Sequence, residues 1–248
     1  MTFHRIDEIN KELIASEWDK ISDLRHSQLN SEQDISFNYI LKPYLLNNIT
    51  DLDKKFNKIL EIGCGTGVLA QELVAFCNEI IGIDLSKKSI EIANQSKTSN
   101  NIKFIESSIE EYAETNNKFD LIVANMVLMD VENLDDILSS IGSMLLDDGN
   151  FIFTIIHPCF WGQYKGYQHE EWFNYIEEFA VNGEFTITLD RNGIYKTTHI
   201  HRPLEKYINS LIFNGFKIDE FKELILDEQV KNFKYPRFLG IRVSKVTC

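Results

Sequence analysis

The chain has 248 residues, enough for one large α/β domain with a small insertion and too few for two full domains. Its 44% hydrophobic and 25% charged residues are those of an ordinary globular protein, which excludes disorder, collagen-like repeats and disulfide-dense scaffolds. A formal net charge of −13 would repel a phosphate backbone over most of the surface, so nucleic-acid partners are not expected.

Residues 1–55 carry apolar positions at helical spacing, first Ile6, Ile9, Leu13 and Ile14, then Tyr39, Ile40, Leu41, Tyr44 and Leu45, which predicts helices and a loop. From Lys58 short apolar runs alternate with amphipathic stretches, the pattern of βα units and a mostly parallel sheet. Strands are predicted over 58–62, 80–83, 102–105, 119–124 and 151–156. Between them fall helices over 66–76, over 86–95 with Ser86 as N-cap, and over 133–145, the last ending in an Asp147-Asp148-Gly149 turn. After Ile156 the register breaks. Residues 157–202 are rich in aromatics and His, with turn signals Asn182-Gly183 and Asn192-Gly193 around the alternating stretch from Phe185 to Leu189, which reads as an inserted hairpin or lid. A last helix is predicted from Pro203 to Asn214-Gly215, then closing strands over 216–221 and 238–243. The predicted fold is α/β: a doubly wound, mostly parallel seven-stranded sheet of Rossmann-like kind, with an N-terminal helical cap over 1–55 and an insert after the fifth strand.

The cysteines Cys64, Cys77, Cys159 and Cys248 form no CxxC pair and no short Cys/His spacing, so neither a metal site nor a disulfide is expected. The opening residues lack a basic stretch followed by an apolar one, and no run of about 18 apolar residues occurs. A cytoplasmic protein without membrane association, monomeric or homodimeric, is the expectation.

The strongest motif is Glu61-Ile62-Gly63-Cys64-Gly65-Thr66-Gly67, between the first strand and the first helix. Glycines there allow a sharp turn and close approach of the backbone to a ligand, at a helix N-terminus that attracts a negative group. Asp84 ends the second strand, where a carboxylate can accept both hydroxyls of a ribose. A dinucleotide fold uses the same devices, but its fingerprint is GxGxxG. Here the third glycine comes one residue early and a carboxylate stands two residues before the first, which points away from a nicotinamide cofactor.

With this acidic residue and GxGxG, the chain resembles the class I S-adenosylmethionine (SAM) methyltransferases, over roughly residues 55 to 246. The resemblance makes 56–248 a SAM-binding methyltransferase domain, with S-adenosyl-L-homocysteine as product. It implies cofactor contacts from Glu61, Gly63, Cys64, Gly65 and Gly67, and from Asp84 with Leu85 at the ribose. In Phe104 to Glu110, Ser108 stands where the family places an adenine-binding Asp, followed by Ile109. A hydroxyl can still accept one hydrogen bond, without charge assistance, and the Ile109 backbone would carry more of the recognition. Asn125 falls where the family's backbone meets the SAM amino group, and Glu17-Trp18-Asp19 resembles the helix in which an aromatic, here Trp18, closes the cofactor site.

On the acceptor side, His157-Pro158-Cys159-Phe160 resembles a loop of small-molecule members, with His157 either a general base or a loop anchor. The segment Thr198 to Gly215-Phe216 is similar to the histidine-arginine stretch and helix of the same subgroup, though Glu223-Leu224 stands where a Glu-Pro pair is usual. Arg202 would bind an acceptor carboxylate or lock the insert to the body, and of His199 and His201 one is expected at the surface. Trp161 and Tyr164, with Tyr167, Trp172, Phe173 and Tyr175, suit either an acceptor pocket or the core of a lid. The implied activity is methyl transfer to O or N of a small molecule. A non-catalytic SAM or nucleotide-binding module, and a methyltransferase acting on a peptide or protein, are the alternatives.

Overall fold

The computed structural model describes residues 3–7, 9–226 and 234–246, so Cys248 lies outside the described residues. In chain order the elements are β1 (Phe3–Ile6), α1 (Lys11–Asn30), a π-helical turn (Phe37–Leu41) running into α2 (Lys42–Asp51), β2 (Phe56–Ile62), α3 (Val68–Leu73), β3 (Cys77–Asp84), α4 (Lys87–Ser96), β4 (Ile102–Glu106), α5 (Ile109–Ala113) and β5 (Phe119–Asn125). There follow α6 (Leu134–Met144), β6 (Leu145–Ile156), α7 (Trp161–Lys165), β7 (Phe179–Ile187), β8 (Asp190–His201), α8 (Leu204–Phe213), β9 (Phe216–Leu224) and β10 (Phe238–Lys245). Among the described residues no helix is long and apolar enough to cross a membrane.

The larger sheet has seven strands in the order β4-β3-β2-β5-β6-β10-β9. Six strands share one direction and β10 alone runs antiparallel, to both its neighbours, within the mostly parallel seven-stranded sheet that the sequence pattern predicts. Both faces are covered, so the inner strands read as unbroken apolar runs. Ile59, Ile80 and Leu121 pack on one side with Leu45 and Leu69, whereas Leu60, Ile62 and Phe153 pack on the other with Ile137 and Leu211. The connections leave β2 in one direction and reach β5 in the other. Doubly wound sheets open a crevice at such a switch point, beyond the carboxyl ends of the strands.

Local chemistry sets the helix starts. The Ser86 hydroxyl accepts from the Ser89 N–H (3.0 Å) to begin α4, Asn133 caps α6, and Pro203 precedes α8. The unpredicted short helix α5 begins at a capping box, in which the Ser108 hydroxyl accepts from Glu111 N–H and the Glu111 carboxylate accepts from Ser108 N–H.

Four local expectations are corrected by long-range packing. Residues 1–55 are not only helices and a loop, because β1 pairs antiparallel with β7 in a second, three-stranded sheet, β1-β7-β8. Asn182-Gly183 is no turn but the middle of β7: a Cβ at Gly183 would stand 2.0 Å from the Phe3 ring, so the glycine makes room for β1. Asn192-Gly193 lies inside β8, and the chain reverses between Ile187 and Asp190. Asp147-Asp148-Gly149 bulges within β6, where Phe119 pairs with Leu145 and Leu121 with Asn150.

Candidate active site

The β2–α3 turn is built on three glycines in the left-handed region, Gly63 (φ 64°), Gly65 (φ 52°) and Gly67 (φ 78°). They differ in what they face. A Cβ on Gly63 would stand 2.3 Å from Val127 and one on Gly67 would stand 2.4 Å from the Phe104 ring, so these two serve packing. Gly65 has no protein atom within 4 Å of its Cβ position, which leaves an open cradle. Cys64 turns inward: its N–H donates to Ile83 O (3.0 Å) and its buried thiol packs in the core.

Asp84, at the end of β3, is joined to this turn. Its Oδ2 accepts from Gly65 N–H and its Oδ1 from Ser86 N–H, both at 2.8 Å. Burial raises its pKa, and those two N–H groups oppose the rise. Glu61 is 2% exposed with Oε2 unpartnered, and burial with the nearby Asp84 holds its carboxyl well above the usual range.

Next to Asp84 a cavity of about 700 Å³ opens. It is lined by Leu85, Ser108 and Ile109 from the turns after β3 and β4, by Asp130 to Leu134 after β5, by Ile9 to Lys11 of the N-terminal segment, and by Glu178 and Lys206. Sequence reasoning missed Asp130, whose carboxyl is held well above its usual range by burial and by Glu17, against a hydrogen bond from Trp18. A carboxylate five residues past Asn125, in the loop beyond a parallel strand, was the available signal.

Helix α1 is clamped over this region through three consecutive residues. Glu17 Oε2 accepts from Thr198 N–H (2.7 Å), and its Oε1 accepts from Asn182 Nδ2 (2.9 Å) and the Thr198 hydroxyl (3.0 Å). Trp18 meets Asp130 and lies edge-on to Phe185, with ring centroids 5.6 Å apart. Asp19 Oδ1 accepts from the Ser86 hydroxyl (2.6 Å) and Lys88 N–H (3.0 Å) at the start of α4. Successive helical residues diverge by about 100°, so one turn of α1 holds three separate elements.

The structure redirects several predicted side chains. The Ser108 hydroxyl accepts the α5 cap, and both Ser108 and Ile109 line the cavity. Asn125 Oδ1 accepts from the Thr154 hydroxyl (2.8 Å), and Met126 after it is held at φ 59° by bonds from its N–H to Thr154. His157 is held as a loop anchor. It is 1% exposed, its Nδ1 accepts from Cys159 N–H (3.2 Å), and its Nε2 therefore carries the proton that it gives to Glu223 (3.0 Å). The glutamate that departs from the family pattern is thus the partner of this histidine.

Arg202 locks the insert to the body. Nε donates to Glu178 (2.8 Å), Nη1 to Leu128 O (3.0 Å), and Nη2 to Val131 O (2.6 Å) and Glu132 O (2.9 Å). Neither His199 nor His201 is exposed, contrary to expectation. His199 meets the Tyr167 hydroxyl (3.2 Å), and burial lowers its pKa to about 3, while His201 donates to Tyr175 O (3.0 Å). Trp161 and Tyr164 lie on α7, and with His199, His201 and Arg202 they stand off the cavity wall. Phe3, Tyr167, Phe179 and Val181 form a separate core under the insert, with Trp172 and Phe173 packed against it.

Comparison with known proteins agrees with this geometry. The methyltransferase-domain family matches residues 53–186. An uncharacterized protein of Haemophilus influenzae is 30% identical over 238 residues, covering 86% of this chain and 90% of its own. A ubiquinone biosynthesis O-methyltransferase of Rickettsia canadensis is 24% identical over 230 residues, covering 88% and 89%. The crystal structure of a Listeria monocytogenes protein assigned as a SAM-dependent methyltransferase superposes with a TM-score of 0.64 at 25% identity, over 78% of this chain and 92% of that one. The chain belongs to the methyltransferase-domain family: it is a class I SAM-dependent methyltransferase, and S-adenosylmethionine is its cofactor.

Proposed function

We propose that this enzyme methylates an oxygen or nitrogen of a small-molecule acceptor. The observation that carries the reading is the cavity: about 700 Å³, lined by the N-terminal segment, the loop after β5 and Glu178 of the insert. That volume is in the range that holds a small ligand. The name of the Rickettsia relative supports the same substrate class. In this reading residues 1–55 cap the cofactor side, 56–248 form the catalytic domain, and 157–202 act as the acceptor-side lid.

The residues fit the cofactor. The open position at Gly65 would take its amino-acid part, Asp84 its ribose, and Leu85 with Ile109 its adenine, while Trp18 on α1 would close the site. When bound, SAM supplies a methyl group already activated on a positively charged sulfur. The protein's remaining work is to align the acceptor, exclude water and receive one proton. Asp130, on the cavity wall with its carboxyl held high, takes the proton that leaves the acceptor's hydroxyl or amine.

Titration calorimetry with SAM and S-adenosylhomocysteine, followed by transfer of labelled methyl groups to a library of small hydroxyl and amine compounds, tests this. Asp84→Ala should weaken SAM binding by about 1–3 kcal/mol, the worth of charge-assisted hydrogen bonds. Asp130→Asn should bind SAM like the wild type and turn over about 10²-fold more slowly, or worse. Methyl transfer confined to peptides or proteins would overturn the acceptor class.

A further inference from the structure

Two arginines are buried beyond the carboxyl edge of the large sheet, and their partners differ. Arg202, 1% exposed, spends its fork on the Glu178 carboxylate and on three carbonyls. Arg237, 5% exposed, has no such company. Its Nη1 donates to the Tyr164 hydroxyl (2.9 Å) and its Nη2 to the Ser36 hydroxyl (3.4 Å), both neutral. Its guanidinium otherwise lies over the rings of Tyr164 (4.9 Å) and Phe238 (5.3 Å). A guanidinium has five N–H donors. Among the described residues no carboxylate forms an ion pair with this one. A buried charge is normally met by an opposite charge, because aromatic faces and hydroxyls replace little of the lost hydration.

A second observation concerns the same place. Trp161 Nε1 is buried with no hydrogen-bond partner, although indole N–H groups usually find one. Its ring centroid is 5.4 Å from that of Tyr164 and 6.0 Å from that of Phe238, the two rings on which Arg237 rests. An unbalanced cation and an unused donor therefore share one aromatic-walled corner. The corner is built from the N-terminal helical region through Ser36, from the insert through Trp161 and Tyr164, and from the entry to β10. It lies next to the end of β6, since Phe238 pairs with Ile156, and so on the edge of the sheet that carries the glycine turn.

We propose that Arg237 and the Trp161 N–H, in a corner outside the lining of the 700 Å³ cavity, anchor an acid group of the methyl acceptor, a carboxylate or a phosphate monoester. The planar fork matches two oxygens of either group, and the indole N–H can serve one of them. The chemical class is then a small acid with a methylatable oxygen or nitrogen, a narrowing that rests on the small-molecule reading above. It also gives the insert a task that Arg202, already saturated, does not perform.

The test is calorimetric titration of the full chain saturated with S-adenosylhomocysteine, using benzoate, phenyl phosphate and the neutral benzamide as probes. At least one of the two acids should bind and benzamide should not. Arg237→Gln should weaken the acid by roughly tenfold or more, as loss of a charge-assisted pair implies, and Arg237→Lys should recover part of it. Trp161→Phe keeps the ring and removes only the N–H. It should weaken acid binding several-fold and covers the case in which the Arg237 variants fail to fold. S-adenosylhomocysteine should bind all folded variants equally. Equal binding of benzoate and benzamide, undiminished acid binding in Arg237→Gln, or no acid binding by wild type that binds S-adenosylhomocysteine would each overturn the inference and leave the methyltransferase reading intact. Failure of S-adenosylhomocysteine itself to bind would overturn the reading on which it rests.

Discussion

Glu17→Ala should unfasten α1 from the sheet of the insert, and the size of the effect follows from three hydrogen bonds. Thr198 is 1% exposed, so its N–H, which now meets Glu17 at 2.7 Å, would be left buried without an acceptor. That loss alone costs about 1–3 kcal/mol. The Thr198 hydroxyl and Asn182 Nδ2 keep each other at 2.9 Å, so their lost bonds to Glu17 add only about 1 kcal/mol together. Against this, burial raises the Glu17 pKa, and removing a poorly solvated carboxylate returns part of the loss. The balance is roughly 1–3 kcal/mol, or a fall of about 2–12 °C in Tm for a chain of this size. Urea unfolding of wild type, Glu17→Ala and Glu17→Gln should show the midpoint fall with an unchanged m-value, most in the alanine variant. SAM affinity should fall with it, because α1 carries the segment over the cavity. A destabilisation below about 1 kcal/mol would refute the clamp.

Two further outcomes separate packing from binding and fix a sign in pH. Gly67→Ala meets both a φ of 78° and the Phe104 ring at 2.4 Å, and should lose about 2–5 kcal/mol of stability. Gly65→Ala meets only the φ of 52° and should lose about 1–2 kcal/mol while abolishing SAM binding, so equal losses of stability in the two variants would contradict the assignment. Glu61 has a folded pKa well above 4.5, so the stability its proton contributes is complete below that value and is lost as pH rises through the folded pKa. Glu61→Gln cannot ionise, and its Tm relative to wild type should climb as the pH rises above 4.5 and through the folded pKa, whereas a constant gap would show that the carboxyl is not titrating there.

His157 marks where local reading stops. The end of the fifth strand was legible, and so was the choice between base and anchor, but the answer lay in Glu223, 66 residues later, and in the Cys159 N–H that occupies the other ring nitrogen. Ser108 shows the reverse: Ser-x-x-Glu is a capping box written in four adjacent residues, available from the sequence and overlooked beside the family pattern.

What the sequence determined by itself is therefore what neighbours along the chain decide. Apolar runs covered on both faces specify parallel strands, and Gly63, Gly65 and Gly67 specify a turn that only residues without a Cβ can make cheaply. Asp84 belongs to the same class, since the end of a strand adjoining that turn can be located from periodicity alone. The tertiary structure decided every pairing across distance: Glu17 with Thr198, Arg202 with the loop after β5, Phe3 with Gly183, and Arg237 with the hydroxyls of Tyr164 and Ser36. A sequence states which side chains can donate and which can accept. Only the packed chain states which donor meets which acceptor, and which buried charge is left for a ligand to meet, because those distances are set by every layer of the fold at once.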